Sequence, residues 1–171
     1  MSLLARLFSS QPDPREALRP LWHRVVELSR EPALYRDDGV ADTVAGRFDM
    51  IAAILALVML HLERDDLAQE NVLLTELFVA DMDAQLRETG VGDLVVGKHV
   101  GRLVSVLGGR LGALREALAS EDDALLEAAL TRNVTMAEAR GTEALTQRLR
   151  AFADKLARLD TDEVLAGGIA L

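Results

Sequence analysis

The sequence predicts an all-α fold, a single compact domain of about six or seven helices with short connections. Apolar residues recur at helical spacing along most of the chain. No segment shows the strand-like alternation of apolar and polar residues with hairpin turns, and no period of about 20 to 50 residues repeats. With 171 residues, 50% of them hydrophobic and 27% charged, the chain is long enough to bury a sizeable core.

We expect residues 14–160 to form this domain. Residues 1–13 begin with a short apolar turn that lacks the features of a signal peptide. Residues 161–171 contain two adjacent glycines. Because chain ends are usually poorly ordered, both segments are expected to be loosely held.

The first half of the chain predicts two helices separated by a turn. The first ends before Pro32, and its apolar positions follow helical spacing: Leu18, Leu21, Trp22, Val25, Val26 and Leu28. A turn at residues 35–42, where Gly39 can adopt positive φ, leads to a second helix that Asp42 or Thr43 can cap. The apolar run at residues 50–60 is shorter than the roughly 20 residues of a membrane span. It therefore predicts a buried central helix that ends near residue 64.

The second half predicts four more helices. A third helix covers about residues 67–89, with Gly90 just past its end. Asp93 is a suitable N-cap for a fourth helix over residues 94–119. A fifth helix opens at residues 121–123, and the last begins at Gly141 or Thr142 and continues to about residue 159.

Composition excludes several classes of function. The chain has no cysteine, so it has no disulfide, thiolate metal site or cysteine nucleophile. Its net charge of −9 repels phosphate backbones, and no block of Lys or Arg offsets that charge locally. Only 4% of the residues are aromatic, too few to suggest a platform for stacking bases. Nucleic acid is therefore not an expected partner.

One segment imitates a phosphate-binding loop. Residues 92–99 (GDLVVGKH) match the glycine and lysine spacing of that loop, but His99 stands where a Ser or Thr must bind magnesium. The segment also follows a helix rather than a strand. We therefore interpret Asp93 as a helix cap and expect no nucleotide site.

Metal and catalytic chemistry also lack the residues they need. His23, His61 and His99 fall in separate helices without the His or Glu spacing of helical metal sites. Asp81 and Asp83 are two positions apart on a helix, so their side chains point in different directions. No nucleophile and base are suggested by spacing. We predict no cofactor, no metal and no catalytic residue.

Small residues form a stripe on the fourth predicted helix. This small-residue stripe consists of Gly97, Gly101, Ser105, Gly108 and Gly112, at steps of four, four, three and four. A glycine inside a helix costs about 1 kcal/mol relative to alanine, so the stripe should have a compensating use. It indicates either a close helix crossing inside the domain or a groove for a partner helix.

Three basic residues lie near this stripe in the sequence. Lys98, Arg102 and Arg110 could form a charged rim beside an apolar groove. Together with the stripe they are the candidate partner-binding residues.

Several segments in a fixed order resemble a known family. They are residues 39–50 (GVADTVAGRFDM), 81–94 (DMDAQLRETGVGDL), 96–98 (VGK), 109–110 (GR) and 130–134 (LTRNV). Over about residues 35–134 this pattern resembles the ubiquinol–cytochrome c chaperone family. The order and spacing of the segments make the resemblance more specific than any short motif above.

Within these segments most motif residues are expected to hold the fold together. Glycines suit backbone roles, and charged residues at helix starts must find partners. The structural candidates are Asp42, Thr43, Gly46, Arg47, Asp49, Asp81, Asp83, Arg87, Gly90, Gly92 and Asp93. After Lys98 the chain departs from the basic and then aromatic character of the family, because glycine and aliphatic residues replace it.

The resemblance implies an all-helical, non-enzymatic factor that binds newly made cytochrome b and assists assembly of the cytochrome bc1 complex. Mitochondrial members act with a small partner subunit, and whether this chain uses one stays open. We expect a bacterial, cytoplasmic relative that touches the membrane only peripherally, through its client or its N-terminus. The alternatives are a generic helical adaptor with an unrelated partner and an enzyme that binds ATP or metal at Lys98 and His99.

Overall fold

The computed structural model describes the backbone of residues 13–88 and 96–171 and the side chains of residues 13–85 and 100–171. A short 3-10 helix, Pro14–Leu18, precedes α1 (Arg19–Leu28), α2 (Pro32–Arg36), α3 (Val44–Arg64), α4 (Ala68–Glu88), α5 (Val96–Leu118), α6 (Asp123–Asn133), α7 (Glu143–Leu156) and α8 (Thr161–Leu165). Across these described residues there is no strand, only an isolated bridge between Val40 and Met136. The all-α prediction is confirmed.

Helix α3 forms the centre of the fold. The Thr43 side chain caps its start by accepting a hydrogen bond from the Gly46 amide at 3.1 Å. All residues from Met50 to Met59 are buried, and α1, α4, α5 and α7 pack around the helix. Of the helices described, α3 alone is long and apolar enough to cross a membrane, but 72% of its most apolar stretch is buried in the fold. Such burial is typical of a core helix.

Aromatic contacts join this centre to the neighbouring helices. The ring of Phe78 on α4 lies between Trp22 of α1 and Phe48 of α3, with centroids 6.2 and 5.9 Å away. Phe78 is fully buried. These rings fix α1 and α4 on the same side of α3.

Close backbone approach at the start of α3 requires glycine. A Cβ added at Gly46 would lie 2.0 Å from the carbonyl oxygen of Ala41. Gly39 has a φ of +83°, as expected for the turn before α3. Its carbonyl accepts from the Ala137 amide, and the Ala41 amide donates to Thr135, each at 2.9 Å. The turn before α3 is thereby joined to the segment after α6.

The C-terminal residues differ from the loose tail expected from the sequence. They form α8, whose Val164 is buried, and continue to the buried Ile169. The guanidinium of Arg24 on α1 donates to the Ile169 carbonyl at 2.9 Å. Gly167, at φ +84°, makes the intervening turn close to Pro20. Apolar burial against α1 therefore orders this end of the chain.

Candidate partner-binding surface

Three glycines of the small-residue stripe lie on an open face of α5. Outside the backbone of α5 itself, no atom of another described residue lies within 4 Å of a Cβ built on Gly101, Gly108 or Gly112. Ser105, between them, is exposed. Within the described part of the chain, the internal crossing that the stripe could have indicated is not found here. Gly97 belongs to α5, but its surroundings lie outside the described residues.

An exposed valine extends this open face and was missed by the sequence analysis. Val104 is 45% exposed, three residues after Gly101 and four before Gly108. These spacings place it on the same face of α5. Its position relative to the stripe was the signal that could have found it. The open face therefore presents one apolar side chain, that of Val104, among glycines and a serine.

The three basic residues expected beside the stripe have different placements. Arg102 is exposed, and the side chain of Lys98 lies outside the described residues. Arg110 is only 8% exposed and is directed into the fold, so its assignment to a partner-binding rim is corrected. It follows Gly108 by two positions, which is about 200° around a helix. Arg110 consequently lies on the side of α5 opposite the stripe.

Arg110 joins three parts of the fold. Its Nη2 donates to the carboxylate of Asp49 on α3, and also to the carbonyl of Asn133 at the end of α6, at 2.8 Å. The other oxygen of Asp49 accepts from the Thr135 amide and hydroxyl, at 2.9 and 2.7 Å. The guanidinium carbon of Arg110 lies 5.3 Å from the centroid of the Phe48 ring. This network holds α5 against α3 and the segment after α6.

The charges of this network are balanced inside the protein. Burial lowers the pKa of Arg110, while the neighbouring Asp49 carboxylate opposes that shift. The Nε and Nη1 atoms of Arg110 have no hydrogen-bond partner among the described residues. The nearby face of Phe48 supplies a favourable cation–π contact instead. The buried anchor on one side of α5 leaves its small-residue side free to meet solvent.

Comparison with known proteins identifies the family. A family model described as ubiquinol–cytochrome C chaperone matches residues 36–171. The chain belongs to the ubiquinol–cytochrome c chaperone family. The resemblance predicted from the sequence is therefore confirmed, and the match covers α5 and the whole Arg110 network.

A solved structure of a similar protein agrees with this membership. The crystal structure of the Cbp3 homolog from Brucella abortus superposes with a TM-score of 0.76 at 28% sequence identity. The alignment covers 98% of this chaperone and 96% of that chain. The comparison with curated proteins gives no match. Membership of the family supports a chaperone role toward the bc1 complex.

The remaining motif residues of this chaperone are dispersed. Arg47 and Asp42 form an exposed ion pair at 2.7 Å beside the Thr43 cap. Asp81 and Asp83 are half-buried on α4. Four further structural candidates lie outside the residues whose side chains are described: Arg87, Gly90, Gly92 and Asp93.

The described residues do not assemble a metal site. No group of three or more His, Cys, Asp or Glu side chains among them could hold a metal ion. His61 on α3 is 8% exposed, and neither ring nitrogen has a hydrogen-bond partner in the described part of the chain. Burial lowers the pKa of His61, with nearby Asp65 acting in the opposite direction. Burial of the ring therefore disfavours its protonated form.

Proposed function

We propose that this chaperone binds newly made cytochrome b and, without catalysing a reaction, helps to bring it into the bc1 complex. The observation that carries the proposal is the family match over residues 36–171. Cytochrome b is an apolar membrane protein that would aggregate in water before it is inserted or assembled. A chaperone for such a client needs a surface on which an apolar helix can lie.

The open face of α5 is the surface that we assign to the client. An apolar helix could approach the α5 backbone closely along Gly101, Gly108 and Gly112, because these positions lack side chains. Val104 would add an apolar contact at the middle of this face. The binding mode would be that of a helix in a shallow groove.

We further propose that the chain works in the cytoplasm and reaches the membrane through its client. The net charge of −9 supports this, because an acidic surface keeps a complex with an apolar client soluble. A small partner subunit, if one is used, would be recovered with the chaperone.

Affinity purification from detergent-solubilised native cells, followed by mass spectrometry, tests the client. Enrichment of cytochrome b without the other subunits of the mature complex is the expected result. Recovery of a different protein in place of cytochrome b would instead identify a helical adaptor with another partner. Deletion of the gene should lower the amount of assembled bc1 complex, whereas loss of an unrelated adaptor would leave it unchanged.

Two substitutions test the assigned surface. Gly101→Leu and Gly108→Leu place a side chain into open space, so the fold should tolerate them. We expect both variants to lose cytochrome b in the same purification while keeping or raising their melting temperature. Ala151→Leu, at an exposed position of α7, adds the same bulk elsewhere and should retain the client. Equal retention by all three variants would exclude the α5 face.

A further inference from the structure

A cleft with three arginines among its six lining residues lies after the end of α1, beside α2 and the start of α3. It has a volume of about 450 Å³, and its lining residues are Arg30, Pro32, Tyr35, Arg36, Asp42 and Arg47. Three arginines and one aspartate thus line the cleft, on a chain whose net charge is −9. We call this site the arginine cleft.

Two other large clefts lack this excess of positive charge. A cleft of about 850 Å³ beside α1 and α4 is lined by three arginines and three acidic residues. A cleft of about 470 Å³ near the C-terminal ends of α3, α5 and α7 has three arginines and two acidic residues. The arginine cleft therefore has the largest positive excess of the three.

The arginines of this cleft are available to a ligand. The side chain of Arg30 makes no hydrogen bond or ion pair with the described residues. Arg36 pairs with Asp37 and Arg47 with Asp42, both at 2.7 Å and both at the surface. Exposed pairs of this kind contribute about 0–1 kcal/mol, so a stronger anion can replace the carboxylates. By contrast, Arg110 is committed to buried Asp49.

Tyr35 gives the cleft a fixed and uncharged wall. Its hydroxyl donates to the carbonyl of Ser29 at 2.5 Å, which holds the ring in place. Burial raises the pKa of Tyr35, so the phenol stays neutral near pH 7. A neutral ring does not repel an anion from the neighbouring guanidinium groups.

We propose that the arginine cleft binds a phosphate group. Guanidinium groups bind phosphate oxygens with paired, charge-assisted hydrogen bonds, and several of them around one cleft match the several oxygens of a phosphate. The group could be the headgroup of an anionic phospholipid or a soluble phosphate ester. This assignment does not depend on cytochrome b binding, since the cleft and the α5 face share no residue.

The test uses the purified full chain at low ionic strength, where surface electrostatics are least screened. The soluble probe is glycerol 3-phosphate, titrated while backbone amide signals are followed by NMR. The lipid probe is a set of vesicles of phosphatidylcholine, with or without phosphatidylglycerol, in co-sedimentation. Arg30→Gln and Arg47→Gln are the test variants. Arg158→Gln, at an exposed position after α7, removes the same charge as a control.

We expect binding that each test variant weakens roughly tenfold, the effect of losing one charge-assisted hydrogen bond, while Arg158→Gln leaves it unchanged. That pattern with glycerol 3-phosphate would assign a soluble phosphate ester. The same pattern only with phosphatidylglycerol vesicles would assign a lipid headgroup. No binding of either probe, or an equal loss in the control variant, would overturn the proposal.

Discussion

The Asp49 carboxylate determines whether the charge of Arg110 is compensated inside the fold. Asp49→Ala leaves the guanidinium buried without its partner and also removes the acceptor of two hydrogen bonds from Thr135. Breaking one side of a buried pair typically costs about 3–5 kcal/mol. We expect a loss of that size in the free energy of unfolding, measured by urea denaturation.

An exposed ion pair between the same two helices, α3 and α5, supplies the control. Glu63 accepts from Arg115 of α5 at 2.8 Å, but both side chains are partly in solvent. Glu63→Ala should therefore cost at most about 1 kcal/mol. Similar losses in the two variants would contradict the role assigned to burial in the Arg110 network.

Two glycine-to-alanine substitutions should have opposite effects on stability. Gly46→Ala places a Cβ 2.0 Å from the Ala41 carbonyl oxygen, so the backbone must move, and a loss of about 1–3 kcal/mol or more is expected. Gly108→Ala meets no described atom within 4 Å and should gain up to about 1 kcal/mol from helix propensity. Thermal unfolding measures both. Destabilisation by Gly108→Ala would show that the α5 face is covered.

At the scale of elements, the long helices could be predicted and the shortest could not. The apolar run at residues 50–60 predicts a buried helix clearly, because so many consecutive apolar residues must be removed from water. This run lies within α3. The five residues of α2 and of α8 carry too little periodicity to predict a helix. Their order depends on contacts with distant parts of the chain, such as the bond from Arg24 to Ile169. The inward placement of Arg110 likewise depends on the position of α3.

The C-terminal element should contribute measurably to stability. Ile169 is 2% exposed, and replacing a buried isoleucine by alanine typically costs about 2–5 kcal/mol. We expect Ile169→Ala to fall within that range in urea denaturation. Val72→Ala, at a position that is 51% exposed on α4, should change the free energy of unfolding by less than about 1 kcal/mol. Similarly small losses of unfolding free energy in both variants would indicate that the C-terminal end does not take part in the cooperative core.

At the scale of the whole molecule, the buried imidazole links stability to pH. Burial lowers the pKa of His61, so the folded state favours the neutral ring relative to the unfolded chain. The resulting stability is fully present above the ordinary histidine value of about 6.5 and is lost as pH falls toward the lower folded pKa. The negative charge of Asp65 raises the pKa of His61, whereas the positive charge of Arg64 lowers it further.

The free energy of unfolding should therefore decline as the pH falls below about 6.5, with a slope of at most about 1.4 kcal/mol per pH unit for one linked proton. Urea denaturation over this range measures the decline. His61→Leu should flatten it, because an apolar residue of similar size binds no proton. The exposed His23→Gln variant should keep the wild-type slope. An unchanged slope in His61→Leu would place the pH dependence in another group.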